Sequence, residues 1–184
     1  MCLATVWRFW TVLGLVSGSL SLGCERLQQV LNTETLSKLH EMGGRFPWQC
    51  VSERSALKAK PLNLVKLSKG LQAQDRIQIL HQTLYHIKKI CSMNVGSVTW
   101  AQDKMENVWL LLDRQFREVD ECVKRSGAEV RLSRNTTIHK YFRKLRKFLK
   151  QKNFNDCSWE IIRAETRACL QQLFVIMAEV GRRN

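Results

Sequence analysis

Apolar residues recur at alternating intervals of four and three residues over a long stretch of the chain, and this pattern restricts the fold more than any other feature. The members of the series are Met105, Trp109, Leu112, Phe116, Val119 and Val123. The spacing places all six side chains on one face of an α-helix, where other helices can bury them. No clear run of alternating polar and apolar residues, typical of a half-buried strand, accompanies it. The sequence therefore predicts an all-α fold.

Glycines and prolines mark the breaks between further helical segments. The predicted helices cover about 24–42, 71–91, 100–124, 138–151 and 158–180. Residues 43–68, which contain both prolines, are predicted to be a long connection. The apolar stripe of the first helix is imperfect and includes Val30. Candidate N-caps are Thr99, Thr137, Asp156 and Ser158.

The lengths of the connections restrict the helix directions. Helices two and three are joined by about eight residues and helices four and five by about six, so each pair is expected to be antiparallel. The first connection, of about 26 residues, is long enough to run the length of a bundle, so helices one and two can be parallel. The predicted order is up, up, down, up, down. This is an up-up-down-down bundle with an extra helix in the last crossover.

Residues 1–23 have the features of a secretory signal. Arg8 is their only charge, residues 9–16 are mostly apolar, and Ser21 and Gly23 suit the −3 and −1 positions of a cleavage site. A membrane anchor is the alternative, but the apolar stretch is short for a hydrocarbon layer of ~30 Å. No later segment is long enough to cross a membrane. We therefore expect a secreted domain covering 24–184.

Charge and cysteine content limit the class of protein. The 184 residues carry a net charge of +14, and 45% are hydrophobic, which is an ordinary globular balance and argues against disorder. Beyond residue 23 there are six cysteines, at 24, 50, 91, 122, 157 and 169. Six cysteines in a secreted chain suggest disulfides, although 15 complete pairings exist. Asn135 begins an N-glycosylation sequon.

Catalytic and metal-binding motifs are missing from the sequence. The histidines form no H-E-x-x-H pair, and the chain has neither a G-x-S-x-G turn nor a phosphate-binding glycine loop. No C-x-x-C pair suggests a zinc ribbon. The histidines are expected to be surface or capping residues. We therefore expect no enzyme activity, no metal and no cofactor.

The fourth predicted helix, 138–151, is both amphipathic and strongly basic. Its apolar side contains Ile138, Phe142, Leu145 and Leu149, and most of its basic residues lie on the other side. One interpretation is a solvated bundle face. The other is binding to membrane surfaces or heparin-like polymers, which would make the chain a secreted cationic antimicrobial or polyanion-binding protein. A secretory signal argues against a nucleic-acid partner.

Several segments together resemble the type I interferons. Residues 157–165, Cys-Ser-Trp-Glu-Ile-Ile-Arg-Ala-Glu, resemble the family's C-terminal signature. Residues 140–142 and 149–154 are similar to its Lys-Tyr-Phe and Leu-Lys-Glu-Lys-Lys-Tyr stretches, and residues 50–54 to its Cys-Leu-Lys-Asp-Arg segment. Trp100 falls where the family begins its third helix with a tryptophan. The resemblance is strong over 138–168 and weak elsewhere.

This resemblance implies a helical cytokine that bridges the two chains of the type I interferon receptor and activates antiviral genes through Janus kinases and STAT factors. It also implies two disulfides, Cys24–Cys122 and Cys50–Cys157, and the predicted helix directions are compatible with both. Cys91 and Cys169 are then predicted not to pair with each other. Cys169 is expected to be a buried thiol, and Cys91, near a helix end, the more reactive of the two.

The resemblance further implies a receptor-binding surface. In the family, the high-affinity receptor chain contacts the loop after the second cysteine and the last helix. The residues at those positions are Val51, Arg54, Arg163, Ala164 and Arg167. Arg54 matches the arginine that dominates the contact, whereas Arg167 stands where the family usually has an apolar residue. The second receptor chain is expected to use the opposite face, where His139 replaces a family arginine.

Overall fold

The computed structural model describes residues 27–95, 98–125 and 136–181, and these residues form seven α-helices and no strand. Helix α1 covers residues 27–43. The others are α2 (Val51–Ser55), α3 (Leu64–Ser68), α4 (Ala73–Cys91), α5 (Gln102–Arg125), α6 (Thr136–Gln151) and α7 (Asp156–Gly181), and a 3-10 turn (Trp48–Cys50) precedes α2. The predicted signal, 1–23, lies outside the described residues.

The all-α prediction is confirmed, and α1, α4, α5, α6 and α7 correspond to the five predicted helices. The segment 43–68, predicted only as a long connection, also contains the 3-10 turn and two short helices. Helices of five residues are too short to show a periodic pattern and depend on tertiary contacts. For α3 these contacts come from Gln172, whose side chain accepts from the Leu64 amide at 2.7 Å and donates to the Leu62 carbonyl at 2.9 Å.

Two predicted N-caps are wrong. Helix α5 begins at Gln102, and the Thr99 hydroxyl instead donates to the Asp156 carboxylate at 3.3 Å. Thr137 lies inside α6, which begins one residue earlier. For Thr99 the competing partner, Asp156, lies in another part of the fold and could not be read from the local sequence.

Helix α7 starts slightly earlier than predicted and has a different cap. Asn155 precedes the helix, and its side-chain oxygen accepts from the Ser158 amide at 2.8 Å. The Ser158 hydroxyl donates back to the Asn155 carbonyl at 2.7 Å. Asn155 therefore fills the role that was predicted for Asp156 or Ser158.

Contacts between helices establish their relative directions. His81 on α4 contacts Asp120 on α5, and Lys88, about two turns later on α4, contacts Asp113 on α5. Residue numbers that rise on one helix as they fall on the other mean that the two helices are antiparallel.

Helix α1 is antiparallel to α5 and to α7 by the same reasoning. The Gln28 amide contacts the Gln115 carbonyl on α5, whereas the Glu41 carbonyl contacts Lys104. On α7, Asn32 contacts Leu170, and Leu39 contacts Arg163. Because α6 and α7 are joined by only four residues, the predicted order of up, up, down, up, down is confirmed for the five long helices.

The apolar series on α5 faces the core as predicted. Leu112, Val119 and Val123 are buried, and the remaining three members are partly buried against the same cluster. The prediction for α1 was wrong at Val30, which is 66% exposed. The inward face of α1 instead includes buried polar groups, on Gln28 and Asn32.

Those polar groups are side-chain amides that join three helices. Asn32 on α1 donates to the Leu170 carbonyl on α7 at 2.8 Å and accepts from the Gln115 side chain on α5 at 3.4 Å. The Gln28 side chain donates to the Gln115 carbonyl at 3.2 Å. A search for apolar positions does not detect a helix face that is buried through hydrogen-bonded amides.

Two histidines occupy the helix interfaces rather than the surface or caps expected from the sequence. His86 is 4% exposed and stacks on Phe142, with ring centroids 5.3 Å apart. His81 lies 3.0 Å from the Asp120 carboxylate. The prediction failed because adjoining α5 and α6 supply partners that the α4 sequence does not reveal.

Cys91 and Cys169 are both free, so they do not pair with each other, as predicted, and Cys169 is buried. Burial raises the pKa of both thiols to about 12. Cys91 is partly exposed as a residue, yet its sulfur is enclosed beside Trp109. The pKa values of the two thiols are therefore similar and do not support the expectation that Cys91 is the more reactive one.

Acidification is predicted to destabilise the fold through His86. Burial, followed by the charges of Arg146, His139 and Lys89, lowers the pKa of His86 from 6.5 to about 4. The unfolded chain therefore binds the extra proton first, and stability is lost as pH falls from about 6.5 to about 4. The loss is expected to reach about 2–3 kcal/mol.

Urea denaturation at several pH values measures this effect. In His86→Phe the fall in unfolding free energy over that window should largely disappear, whereas the exposed control His40→Gln should retain it. An identical pH dependence in His86→Phe and the unaltered chain would contradict the assignment.

Candidate functional site

The segment containing the 3-10 turn and α2 is fastened across the start of α7. A disulfide joins Cys50 to Cys157, whose Cα atoms are 5.1 Å apart. Glu53 adds a polar contact, because its carboxylate accepts from the Asn155 side chain at 3.2 Å and lies 3.5 Å from the Lys152 ammonium. These links fix α2 relative to α7, so side chains on the outer side of α2 have a defined position.

Arg54 extends from α2 to α7, where its guanidinium lies 2.8 Å from one oxygen of the Glu165 carboxylate. The other oxygen accepts a hydrogen bond from the Tyr141 hydroxyl at 2.6 Å. Burial, with a further contribution from the Glu165 carboxylate, raises the pKa of Tyr141, so the hydroxyl stays a donor. Half of the Arg54 side chain remains exposed, so Glu165 orients it without enclosing it.

Two apolar side chains in the segment that precedes Arg54 are exposed to solvent. Val51 is 58% exposed and Trp48 is 84% exposed. Exposed tryptophan is uncommon on a protein surface and is characteristic of binding sites. Sequence reasoning did not identify Trp48. The available signal was a tryptophan next to Pro47 and two residues before a disulfide cysteine.

The predicted positions on α7 do not all reach the surface. Arg167 is exposed and Ala164 is half-buried. Arg163 is only 5% exposed, and its guanidinium lies 2.6 Å from the Glu160 carboxylate. The structure therefore brings Val51, Arg54 and Arg167 to the surface but places Arg163 beneath it.

Arg163 serves instead as a support for the chain that follows α1. Its guanidinium donates to the carbonyls of Gly44 at 3.1 Å, Gly43 at 3.3 Å and Leu39 at 3.4 Å. Carbonyls at the end of a helix lack partners within the helix. A buried arginine with several donors supplies those partners, so the correction to the predicted surface role has a direct physical reason.

The glycines at this junction permit the close approach. A Cβ atom on Gly43 would lie 2.5 Å from the Arg163 Nε atom. Gly44 has a φ of +64°, a conformation that ends helices and favours glycine. The Gly-Gly pair therefore lets α1 stop where the guanidinium lies.

Glu160 extends the same network to the beginning of α5. Its second carboxylate oxygen accepts from the Trp100 indole at 2.6 Å. The Trp100 ring packs edge-on against Trp159, with centroids 6.3 Å apart. The tryptophan noted in the sequence thus connects α7 to the segment that precedes α5.

Some predicted features fall outside the described part of the chain. Cys122 is disulfide-bonded, but Cys24, its predicted partner, is not among the described residues, and neither is Asn135. Over the described ranges, no group of three or more His, Cys, Asp or Glu side chains is arranged to hold a metal ion. None of the helices described there has the length and apolar character needed to cross a membrane.

Replacing Arg163 with lysine is predicted to destabilise the fold and loosen the residues after α1. A single ammonium cannot replace the guanidinium contacts with Glu160 and with several carbonyls at once, and the expected loss is about 2 kcal/mol or more. Urea denaturation and hydrogen exchange at 43–50 measure it. The exposed control Arg167→Lys should change neither, and equal behaviour of the two variants would refute the supporting role.

Removing the Cys50–Cys157 disulfide by the double substitution Cys50→Ser and Cys157→Ser is expected to lower the unfolding free energy by about 3–5 kcal/mol. The bond closes a loop across 107 positions of sequence, so it limits the unfolded chain strongly. Hydrogen exchange should also increase at 48–55. The exposed neighbour Gln49→Ala is the control, and an unchanged unfolding midpoint in the double variant would contradict the prediction.

Comparisons with known proteins agree with this architecture. The family model for the interferon alpha/beta domain matches residues 24–180. Interferon a3 of Oncorhynchus mykiss is 29% identical over 151 residues, which cover 82% of this chain and 81% of the relative. Interferon omega-1 of Homo sapiens is 29% identical over 152 residues, covering 79% and 77% respectively.

Two solved interferon structures are also similar to this chain. Zebrafish interferon 1 superposes with a TM-score of 0.70 at 29% identity, covering 87% of this chain and 98% of that one. Zebrafish interferon 2 has a TM-score of 0.65 at 20% identity over 79% and 96% of the two chains, which supports the fold alone. The family model spans most of the chain. The chain therefore belongs to the type I interferon family and is a helical cytokine rather than an enzyme.

Proposed function

We propose that this chain is a secreted cytokine that bridges the two chains of the type I interferon receptor and triggers JAK-STAT antiviral signalling. Family membership supports the class of activity. The observation that carries the proposal is the exposed segment around Trp48, Val51 and Arg54, fastened to α7 by the Cys50–Cys157 disulfide.

This segment has the properties of a high-affinity contact surface. Tryptophan and arginine are enriched among residues that dominate binding energies, particularly where apolar side chains surround them. Glu165 already orients Arg54, so less conformational entropy is lost when a partner binds. We assign the high-affinity receptor chain to Trp48, Val51 and Arg54, with Ala164 and Arg167 at the margin on α7.

The second receptor chain is assigned to the surface formed by α4, α5 and α6. Exposed Tyr85 lies there, with the Lys89 ammonium 5.9 Å from its ring centroid. His139 packs edge-on against buried His86 at 5.4 Å. A cytokine that joins two receptor chains needs two separate surfaces. The surface on α4, α5 and α6 uses different helices from the surface around Arg54.

A membrane-disrupting role for α6 is disfavoured. A helix that inserts into a bilayer surface uses its apolar face. Here Ile138, Phe142, Leu145 and Leu149 are each no more than 1% exposed, because they belong to the bundle core. Only the basic face remains accessible.

Arg54→Ala is predicted to weaken binding to the high-affinity receptor chain by ~2 kcal/mol or more, or about thirtyfold. Surface plasmon resonance against the isolated receptor ectodomains measures the change, and an interferon-response reporter measures signalling. Lys69→Ala, exposed and distant in sequence, is the control. Circular dichroism should show the same helicity for both variants.

Two outcomes would contradict the proposal. Unchanged affinity in Arg54→Ala would remove this surface from the high-affinity contact. A full reporter response in cells that lack the receptor would show that the protein acts by another route.

A further inference from the structure

The solvent-facing side of α6 carries a row of basic residues without any acidic one. Its members are Lys140, Arg143, Lys144, Lys147 and Lys150, and we call them the α6 basic row. All five are exposed, and the 16-residue helix contains no aspartate or glutamate. Ten positions of helix separate the first and last member, which corresponds to about 15 Å.

The row differs from the charged surface of the neighbouring α5. There, Asp113 contacts both Lys88 and Arg117, and Lys124 contacts Asp120. By contrast, none of the ion pairs found among the described residues involves α6. Positive charges that are close together and not neutralised produce a field that concentrates anions.

The chain between α2 and α3 enlarges this positive surface. The Lys144 ammonium donates to the Lys58 carbonyl at 3.3 Å, which brings the backbone of exposed Lys58 beside the helix. Lys60, two residues further along the chain, is exposed as well. A carbonyl neutralises no charge, so Lys144 retains its attraction for an anion. The positive surface therefore continues sideways from the row.

Arg146 is not part of the row. It is partly buried toward α4, and one of its terminal nitrogens is enclosed without a hydrogen-bond partner. Burial lowers the pKa of its guanidinium, with Tyr85 acting in the opposite direction. The exposed basic residues of α6 are thus the five members of the row.

We propose that the α6 basic row, together with Lys58 and Lys60, binds a linear sulfated polysaccharide of the heparin class. The row presents point charges along a line, and a sulfated chain presents fixed anions along a line. Binding releases condensed counterions from such a polymer, which gives affinity that falls with salt. The proposal does not depend on receptor binding.

Other anionic partners fit the surface less well. An anionic membrane would offer the helix no apolar insertion, since the apolar side is buried in the core. Proteins that bind single-stranded nucleic acid combine a basic groove with aromatic rings on which the bases stack. The aromatic residues of α6 are Tyr141, Phe142 and Phe148, and all three are buried.

Two matched triple variants of the full protein test the proposal. Lys140→Gln, Arg143→Gln and Lys147→Gln neutralise the row. Lys66→Gln, Lys69→Gln and Arg114→Gln remove the same charge at exposed positions on other elements. Glutamine has a helix propensity close to that of lysine and arginine, so circular dichroism should show native helicity for both.

Heparin binding is measured by surface plasmon resonance at several salt concentrations. The row variant should lose about tenfold or more in affinity, and its dependence of log affinity on log salt should decrease by about two to three. The control variant should change much less. Equal loss in both variants would show that net charge alone attracts heparin, and would overturn the proposal.

Three further measurements use the unaltered protein. Hydrogen exchange with a heparin oligosaccharide should show protection confined to α6 and residues 58–60, and protection elsewhere would overturn the assignment whether or not the variants fold. Desulfated heparin should bind weakly, and equal binding would exclude sulfate recognition. Phosphatidylserine vesicles or single-stranded DNA that bind as tightly as heparin would overturn the choice of partner.

Discussion

The buried contact between Arg163 and Glu160 determines how the rest of the structure is arranged. Moving both charges out of water is costly, and a buried ion pair alone often adds little stability. Here every described partner of the guanidinium also has a structural task. The carbonyls it binds end α1, and Glu160 binds the tryptophan that precedes α5. The pair therefore positions three helices, and the chain leading to α2 begins at this junction.

Arg54 depends on that arrangement although it lies on the surface. Its position is set by the path from α1, by the Cys50–Cys157 disulfide and by Glu165. Glu165 is in turn held by Tyr141, which belongs to α6. The proposed receptor surface and the α6 basic row are thus joined through one buried carboxylate. The buried side of α6 therefore supports the proposed receptor surface around Arg54, while its solvent-facing side carries the α6 basic row.

The sequence predicted the fold class, the five long helices and their directions because these follow from apolar periodicity and connection length. It missed α2 and α3, which are too short to be periodic and are held by Gln172 and the disulfide. It misplaced Val30 because the inward face of α1 uses amides. For the candidate site, the resemblance suggested Arg54 and Val51, which are exposed, but no local pattern distinguished buried Arg163 from exposed Arg167. That difference arises from the three carbonyls that only the folded chain brings to Arg163.

The two enclosed thiols have a consequence for how the protein is oxidised. Burial raises the pKa of Cys91 and Cys169 to about 12, so very little thiolate is present at neutral pH and these side chains rarely attack a disulfide. In the unfolded chain the same thiols ionise near pH 8.5 and compete with the native partners. Once Cys91 and Cys169 are enclosed in the folded bundle they no longer compete as nucleophiles, so disulfide exchange through them is expected before the helices pack. Conditions that form disulfides before the helices pack would trap wrong pairings.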